Sequence, residues 1–222
     1  MPLPREEVVA GLDAQLGEFE SLVRSLSDEQ WETPTRCDGW TIRDIASHVA
    51  GTMTEVVEGR AGDLAAPDAI DRLVAARRDR SPQEVADELA KARDIARPMM
   101  QSLDDRTWAA PAPGGVASSI GVGVEALWYD AFVHELDIRH ALGMPERLDD
   151  GLKASVVHVS DILAGEGWGP ATLALDGLDE VTINGGGRRV EGDPLAFVLA
   201  ATGRGDPSVL ALDETVNVYR PR

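Results

Sequence analysis

Apolar residues recur at helical spacing in separate stretches along the first two thirds of the chain. The first, about residues 4–26, places them at alternating intervals of four and three, which predicts an amphipathic helix. A second helix is predicted to start at Thr41, because Thr41 and Asp44 have the spacing of a capping box. A third is predicted from Ser81, which is followed by a proline at the first helical position, to about Leu103.

The fourth stretch, residues 128–143, contains no internal proline or glycine and ends at a glycine suited to a helix C-cap. At about 100° per residue, one arc of this helix holds five apolar residues: Ala126, Leu127, Val133, Ile138 and Ala141. Glu135 and Arg139 fall on the opposite side, where we expect water. Three ionisable residues lie at the centre of the apolar arc: Asp130, His134 and Asp137. Burying such groups costs several kcal/mol unless a partner or a metal compensates them.

The pattern changes after residue 143, where short alternating segments and turn residues replace long helical stripes. The expected elements are a helix over 149–164, strands over 172–175, 180–183 and 188–190, a helix over 194–201 and a last strand over 215–219. Residues 109–123, rich in proline, glycine and serine, predict a loop. The chain is therefore predicted to be mainly α, with an antiparallel four-helix bundle over 1–145 and a small α+β domain over 146–222.

Composition narrows the range of functions. The 222 residues carry a net charge of −18, which argues against nucleic acid or an anionic membrane as a partner. No apolar stretch is long enough for a transmembrane helix, and the N-terminus lacks the layout of a signal peptide. The single cysteine, Cys37, suits a reducing compartment. We therefore expect a cytoplasmic protein, monomeric or homodimeric, that acts on small molecules.

A candidate metal site follows from the helical phases. Asp130 and His134 are four residues apart and leave one helix face together. His48 lies at the border of the apolar stripe of the second helix, from which it can reach a neighbouring helix. Two imidazoles and one carboxylate leave coordination positions open, as in catalytic sites, and suit zinc first, with iron, nickel or manganese as alternatives. The competing interpretation is a structural Asp–His hydrogen bond in the core.

For the other polar or aromatic residues near these ligands, the sequence leaves alternatives or predicts a structural role. Asp137 could orient His134 through a hydrogen bond or pair with an arginine from another helix. Cys37 is predicted to lie in a loop beside the acidic Asp38, so an inert, buried thiol is expected rather than a reactive one. Asp44 is expected to cap a helix, and Trp40 to pack against apolar residues, rather than to bind a ligand.

Two segments resemble the signatures of a known family. Residues 37–51, Cys-Asp-Gly-Trp-Thr-Ile-Arg-Asp-Ile-Ala-Ser-His-Val-Ala-Gly, and residues 130–143 resemble those of the mycothiol-dependent maleylpyruvate isomerase family of the DinB-like superfamily. Residues 200–205 resemble a weaker Gly-Arg signature near the end of that family's C-terminal domain. The resemblance implies a DinB-like bundle with one divalent metal, usually zinc. Its ligands map onto His48, Asp130 and His134; the family's isomerase has glutamate in place of Asp130.

The resemblance also implies a chemistry. A metal-bound low-molecular-weight thiol, mycothiol in this family, loses its proton and can add to an activated double bond. Rotation and elimination then give cis–trans isomerisation, whereas stopping after addition or displacement gives S-transfer. The predicted catalytic residues are His48, which would act through the metal, and Arg204, which would clamp a substrate carboxylate. An equal alternative is that Arg204 is an ordinary surface residue. The alternative function is a non-catalytic metal- or small-molecule-binding bundle, with Asp137 closing the coordination sphere.

Overall fold

The computed structural model describes residues 3–220, which divide into two compact units, Pro4–Arg147 and the chain from Leu148 onwards. Nine α-helices and three strands are present in this described part. The helices are α1 Arg5–Arg24, α2 Asp28–Trp31, α3 Ile42–Val57, α4 Ala69–Ala75, α5 Pro82–Gln101, α6 Asp105–Trp108, α7 Ile120–Ala141, α8 Asp150–Gly165 and α9 Pro194–Ala201. The strands are β1 Ala171–Leu175, β2 Val181–Ile183 and β3 Arg188–Gly192.

The four long helices of the first unit form a bundle in which α1 and α3 each pack against both α5 and α7. Directions within the bundle are mixed. Helix α1 is antiparallel to α5, since opposite ends are joined by Arg24–Asp87 and Arg97–Asp13. It runs in the same direction as α7, where Gly11 lies against Trp128 and Gln15 bonds to Glu135. The predicted mainly α fold, with a four-helix bundle followed by a small α+β region, is confirmed.

Capping residues start the helices as predicted. Thr41 accepts from the backbone N–H of Asp44, and the Asp44 carboxylate accepts from the backbone N–H of Thr41, so both halves of the capping box form. Ser81 and Glu84 make the same exchange at the start of α5. Asp44 is therefore a helix cap, and the cap sets the point from which α3 carries His48 into the bundle.

Helix α7 begins at Ile120, so the loop prediction over 109–123 was wrong at its end. Ser119 caps the helix by accepting from the backbone N–H of Val122. Gly121 lies inside the helix, where a Cβ would lie only 2.3 Å from Nε1 of Trp108, so glycine is the residue that fits this position. This glycine permits close packing rather than a turn, and sequence alone does not separate the two roles.

Glu135 is buried, with 2% of its surface exposed, so its predicted position facing water was wrong. Its carboxylate accepts from Gln15 Nε2 at 2.5 Å, from Arg139 Nε at 2.7 Å and from Arg147 Nε at 3.2 Å. Helix α7 packs against both α1 and α3, so it is covered on more than one side. A single apolar arc therefore understates its buried surface, and two arginines compensate the buried charge.

In the second unit, the sheet has the order β2-β1-β3, with β1 antiparallel to β2 and parallel to β3. Helix α8 packs against α9 and β2. The predicted strand over 215–219 was wrong, because the Asp213 side chain accepts from the backbone N–H of Thr215 and starts a 3-10 turn over Glu214–Val216.

Among the described helices, none alone combines the length and the apolar character needed to cross a membrane. One bent pair, residues 105–115 with residues 120–141, meets those two criteria together.

Candidate metal centre

Helices α3 and α7 bring the three predicted ligands together. His48 Nε2 lies 3.1 Å from Oδ2 of Asp130, and His134 Nε2 lies 3.5 Å from Oδ1 of the same carboxylate. One potential ligand atom from each residue lies within 4.8 Å of the other two. The carboxylate thus stands between two imidazoles that come from different helices.

Trp40 covers the two imidazoles from one side. Its ring stacks on His134 with centroids 6.1 Å apart and an interplanar angle of 22°, and it is tilted against His48 at 5.6 Å. The sequence interpretation placed Trp40 among apolar packing residues and missed this position. The available signal was its location directly before the cap of the helix that carries His48.

Asp137 orients the second imidazole and is fully buried. His134 Nδ1 lies 3.0 Å from its Oδ2, Arg36 Nε donates to its Oδ1 at 2.7 Å, and the Cys37 thiol donates to Oδ2 at 3.1 Å. Both roles that the sequence left open for Asp137 are present, with the arginine supplied by the loop before α3 rather than by a helix. If Nδ1 donates its proton to Asp137, the lone pair of Nε2 faces Asp130.

The electrostatics of the cluster favour a positive charge between these side chains. Burial lowers the pKa of His48, and the neighbouring Asp130 carboxylate raises it, with a net shift above the ordinary value. His134 Nε2 and Asp130 are both acceptors when Nδ1 of His134 carries the proton. Two acceptors at 3.5 Å repel each other unless a proton or a metal cation lies between them.

The spacing and the donor types fit a divalent transition metal. Tetrahedral ligands with bonds of about 2.0–2.1 Å lie about 3.3 Å apart. Each imidazole lies close to that distance from a different oxygen of Asp130, His48 at 3.1 Å from Oδ2 and His134 at 3.5 Å from Oδ1. The Asp130 side chain is 31% exposed, against 10% and 11% for the two histidines. A cation held here would therefore be approached from the side of Asp130. One feature fits less well, since His48 Nδ1 is buried without a hydrogen-bond partner in the described residues.

A second group, Cys37, His134 and Asp137, also has potential ligand atoms within 4.8 Å of one another. Its only carboxylate is already paired with the Arg36 guanidinium, which stands where a cation would be repelled. We interpret this group as a hydrogen-bond network that supports His134.

The remaining predicted residue, Arg204, belongs to the second unit. Its Nη1 donates to the backbone carbonyl of Thr202 at 3.2 Å, in the turn after α9. Its role as a clamp for a substrate carboxylate stays a prediction.

Fold and site together define a helix bundle in which two histidines and one carboxylate come together between α3 and α7. A sequence profile described as the mycothiol maleylpyruvate isomerase N-terminal domain matches residues 12–139. The chain therefore belongs to this family. No curated protein sequence matches the chain significantly.

Two solved structures share the fold. They are crystal structures of the mycothiol-dependent maleylpyruvate isomerase and of a histidine-to-alanine mutant of it. Each aligns with a TM-score of 0.70 and 15% sequence identity, and the alignment covers 96% of this chain and 96% of that one. At this identity the likeness extends to the fold, which confirms the predicted architecture.

Proposed function

We propose that this protein is a metal-dependent enzyme that activates a low-molecular-weight thiol, mycothiol by family membership, for cis–trans isomerisation or S-transfer on a small electrophilic substrate. The observation that carries the proposal is the convergence of His48 Nε2, His134 Nε2 and the Asp130 carboxylate from two helices. Zinc is the first choice of metal for this donor set.

Each residue has a role that follows from its contacts. His48, Asp130 and His134 would hold the cation, which when bound would lower the pKa of a coordinated thiol and make it nucleophilic near neutral pH. Asp137 holds the His134 ring in one orientation, and Trp40 shields both imidazoles from water. The exposed side of Asp130 leaves room for thiol and substrate.

The alternative, a non-catalytic module, would be favoured by a fourth protein ligand. Asp137 was the candidate, but its oxygens lie at Nδ1 of His134, at Arg36 and at Cys37. Nδ1 is the ring nitrogen that does not face Asp130, so Asp137 supports the imidazole instead of closing the sphere. A metal held by these three residues alone would keep a coordination position open, which would support catalysis over a structural role.

Metal binding tests the first half of the proposal. Purified wild-type protein should bind about one zinc per chain in titration calorimetry and elemental analysis, and the double variant His48→Ala/His134→Ala should lose it. His140→Ala is a matched control, because His140 is exposed at the end of the same helix. At a free zinc concentration of about 100 times Kd, zinc should stabilise the wild type by about 2.7 kcal/mol. Full zinc occupancy in the double variant would contradict the proposal.

Thiol activation tests the second half. In a cobalt-substituted protein, added mycothiol should change the visible absorption spectrum, because a thiolate that binds the metal would change its ligand field. The same protein should then convert an activated cis-alkene, such as a maleate monoester, to the trans isomer or to an S-conjugate only when mycothiol is present. An unchanged spectrum at saturating thiol would favour the non-catalytic module.

A further inference from the structure

A small apolar pocket lies in the first unit, lined by the end of α3, the first two turns of α7 and the segments 61–64 and 112–116. Its volume is about 100 Å³, and none of its lining residues has a charged or hydrogen-bonding side chain. We call it the apolar pocket; its main lining residues are Val56, Leu64, Val116, Ile120, Val124 and Leu127. For comparison, an apolar cavity of about 150 Å³ accommodates benzene. The apolar pocket therefore has room for a short hydrocarbon group.

The apolar pocket continues the helix faces that carry the metal ligands. On α7, Ile120, Gly123 and Leu127 fall within about 80° of Asp130 around the helix axis. Leu127 precedes Asp130 by three residues, or about 4.5 Å along the axis. On α3, Val56 lies two turns from His48 on the same face. The apolar pocket and the metal ligands therefore lie on the same faces of α3 and α7, about one to three helical turns apart.

We propose that the apolar pocket binds a hydrocarbon group of the substrate while the electrophilic end lies at His48, Asp130 and His134. The inference rests on the proposed function and specifies its substrate class: an electrophile with an uncharged aliphatic or aromatic tail. Maleylpyruvate, the compound named for the related isomerase, is a dicarboxylate. A pocket without polar side chains offers no partner for a second carboxylate, so a different substrate is favoured.

Zinc-binding ligands with tails of increasing length provide the test. Acetohydroxamate, butyrohydroxamate, hexanohydroxamate and octanohydroxamate share one chelating group, and their affinities for the zinc-loaded protein are measured by calorimetry. Affinity should rise by about fourfold for each methylene that enters the apolar pocket. The rise should level off once the pocket is filled.

The variant Gly123→Leu should flatten this dependence on chain length by filling the pocket. A Cβ at Gly123 meets only the Cβ of Ala117, at 3.7 Å, so the variant should fold, and leucine is favoured over glycine in a helix. Gly165→Leu is the matched control, since Gly165 is exposed on α8 with nothing within 4 Å of a Cβ. The control should retain the full chain-length dependence.

The outcomes separate this inference from the proposed function. Absence of zinc binding would overturn both. Zinc binding with equal affinity for all four hydroxamates would overturn the substrate class alone, as would an identical series in Gly123→Leu. If sedimentation showed a dimer of the wild type that Gly123→Leu dissociates and Gly165→Leu does not, the apolar pocket would be an interface between two copies of the chain and the inference would fail.

Discussion

Arg36 compensates a buried carboxylate, and its replacement should be costly. Asp137 is fully buried and accepts from Arg36, His134 and Cys37 at 2.7–3.1 Å. The variant Arg36→Met keeps most of the length of the side chain and removes the charge. Removing one partner of a buried ion pair lowers the free energy of unfolding by about 3–5 kcal/mol. Because His134 and Cys37 remain as donors, we expect the lower end, about 3 kcal/mol.

Urea denaturation of the metal-free protein, followed by far-UV circular dichroism in the presence of a chelator, measures this cost. With a slope of about 2 kcal/mol per molar urea, the midpoint should fall by about 1.5 M. The double variant Arg36→Met/Asp137→Asn has no unpaired charge, so it should be less destabilised than the sum of the single variants by at least about 1 kcal/mol. Arg24→Met is the matched control: Arg24 pairs with Asp87 at the surface, so its loss should cost less than about 1 kcal/mol. Additive single variants, or equal costs for Arg36→Met and Arg24→Met, would refute the reasoning.

For three further substitutions, the structure predicts the direction of the change in stability. Gly121→Ala should destabilise the protein by about 1–3 kcal/mol in urea denaturation, because its Cβ would lie 2.3 Å from Trp108 Nε1; a more stable variant would contradict this packing. Ser47→Ala should stabilise by about 1 kcal/mol, since it removes a buried hydroxyl without a partner in the described residues and places alanine in a helix; a loss of stability would show that the hydroxyl is bonded. Burial opposes ionisation of Glu88, but hydrogen bonds from Arg77 and Thr54 hold the pKa of Glu88 below its ordinary 4.5. Its contribution is therefore present above pH 4.5 and lost as the pH falls through the lowered pKa, so the stability difference between wild type and Glu88→Gln should shrink with acidification; a difference that is constant with pH would contradict the shift.

The sequence predicts what depends on helical phase and capping. His48, Asp130 and His134 are brought together because each helix of a bundle turns one face to its neighbours, and that face can be read from the spacing of apolar residues. Thr41 and Ser81 fix where two of those helices start, through local hydrogen bonds that need no tertiary context. The role of the three residues as ligands stays a prediction.

The features that could not be predicted from the sequence depend on contacts between distant segments. Arg36 and Trp40 lie in the loop before α3, and the path of a loop is not encoded in any periodicity. The contact of Arg36 with Asp137 and that of Trp40 with His134 were therefore not predicted. Glu135 was assigned to water because a helical wheel assumes one buried side, whereas Gln15 and two arginines enclose it. Gly121 was taken for a loop residue because its partner, the Trp108 indole, belongs to another helix.

The three donors on Asp137 imply that the site is preorganised. A small zinc-dependent domain has little structure before the metal arrives, so folding and metal uptake occur together. Here, the carboxylate that aims the His134 ring is held by a guanidinium and a thiol from the chain itself. The apoprotein should therefore be folded with its imidazole already in place, and a chelator should remove activity reversibly without unfolding the bundle.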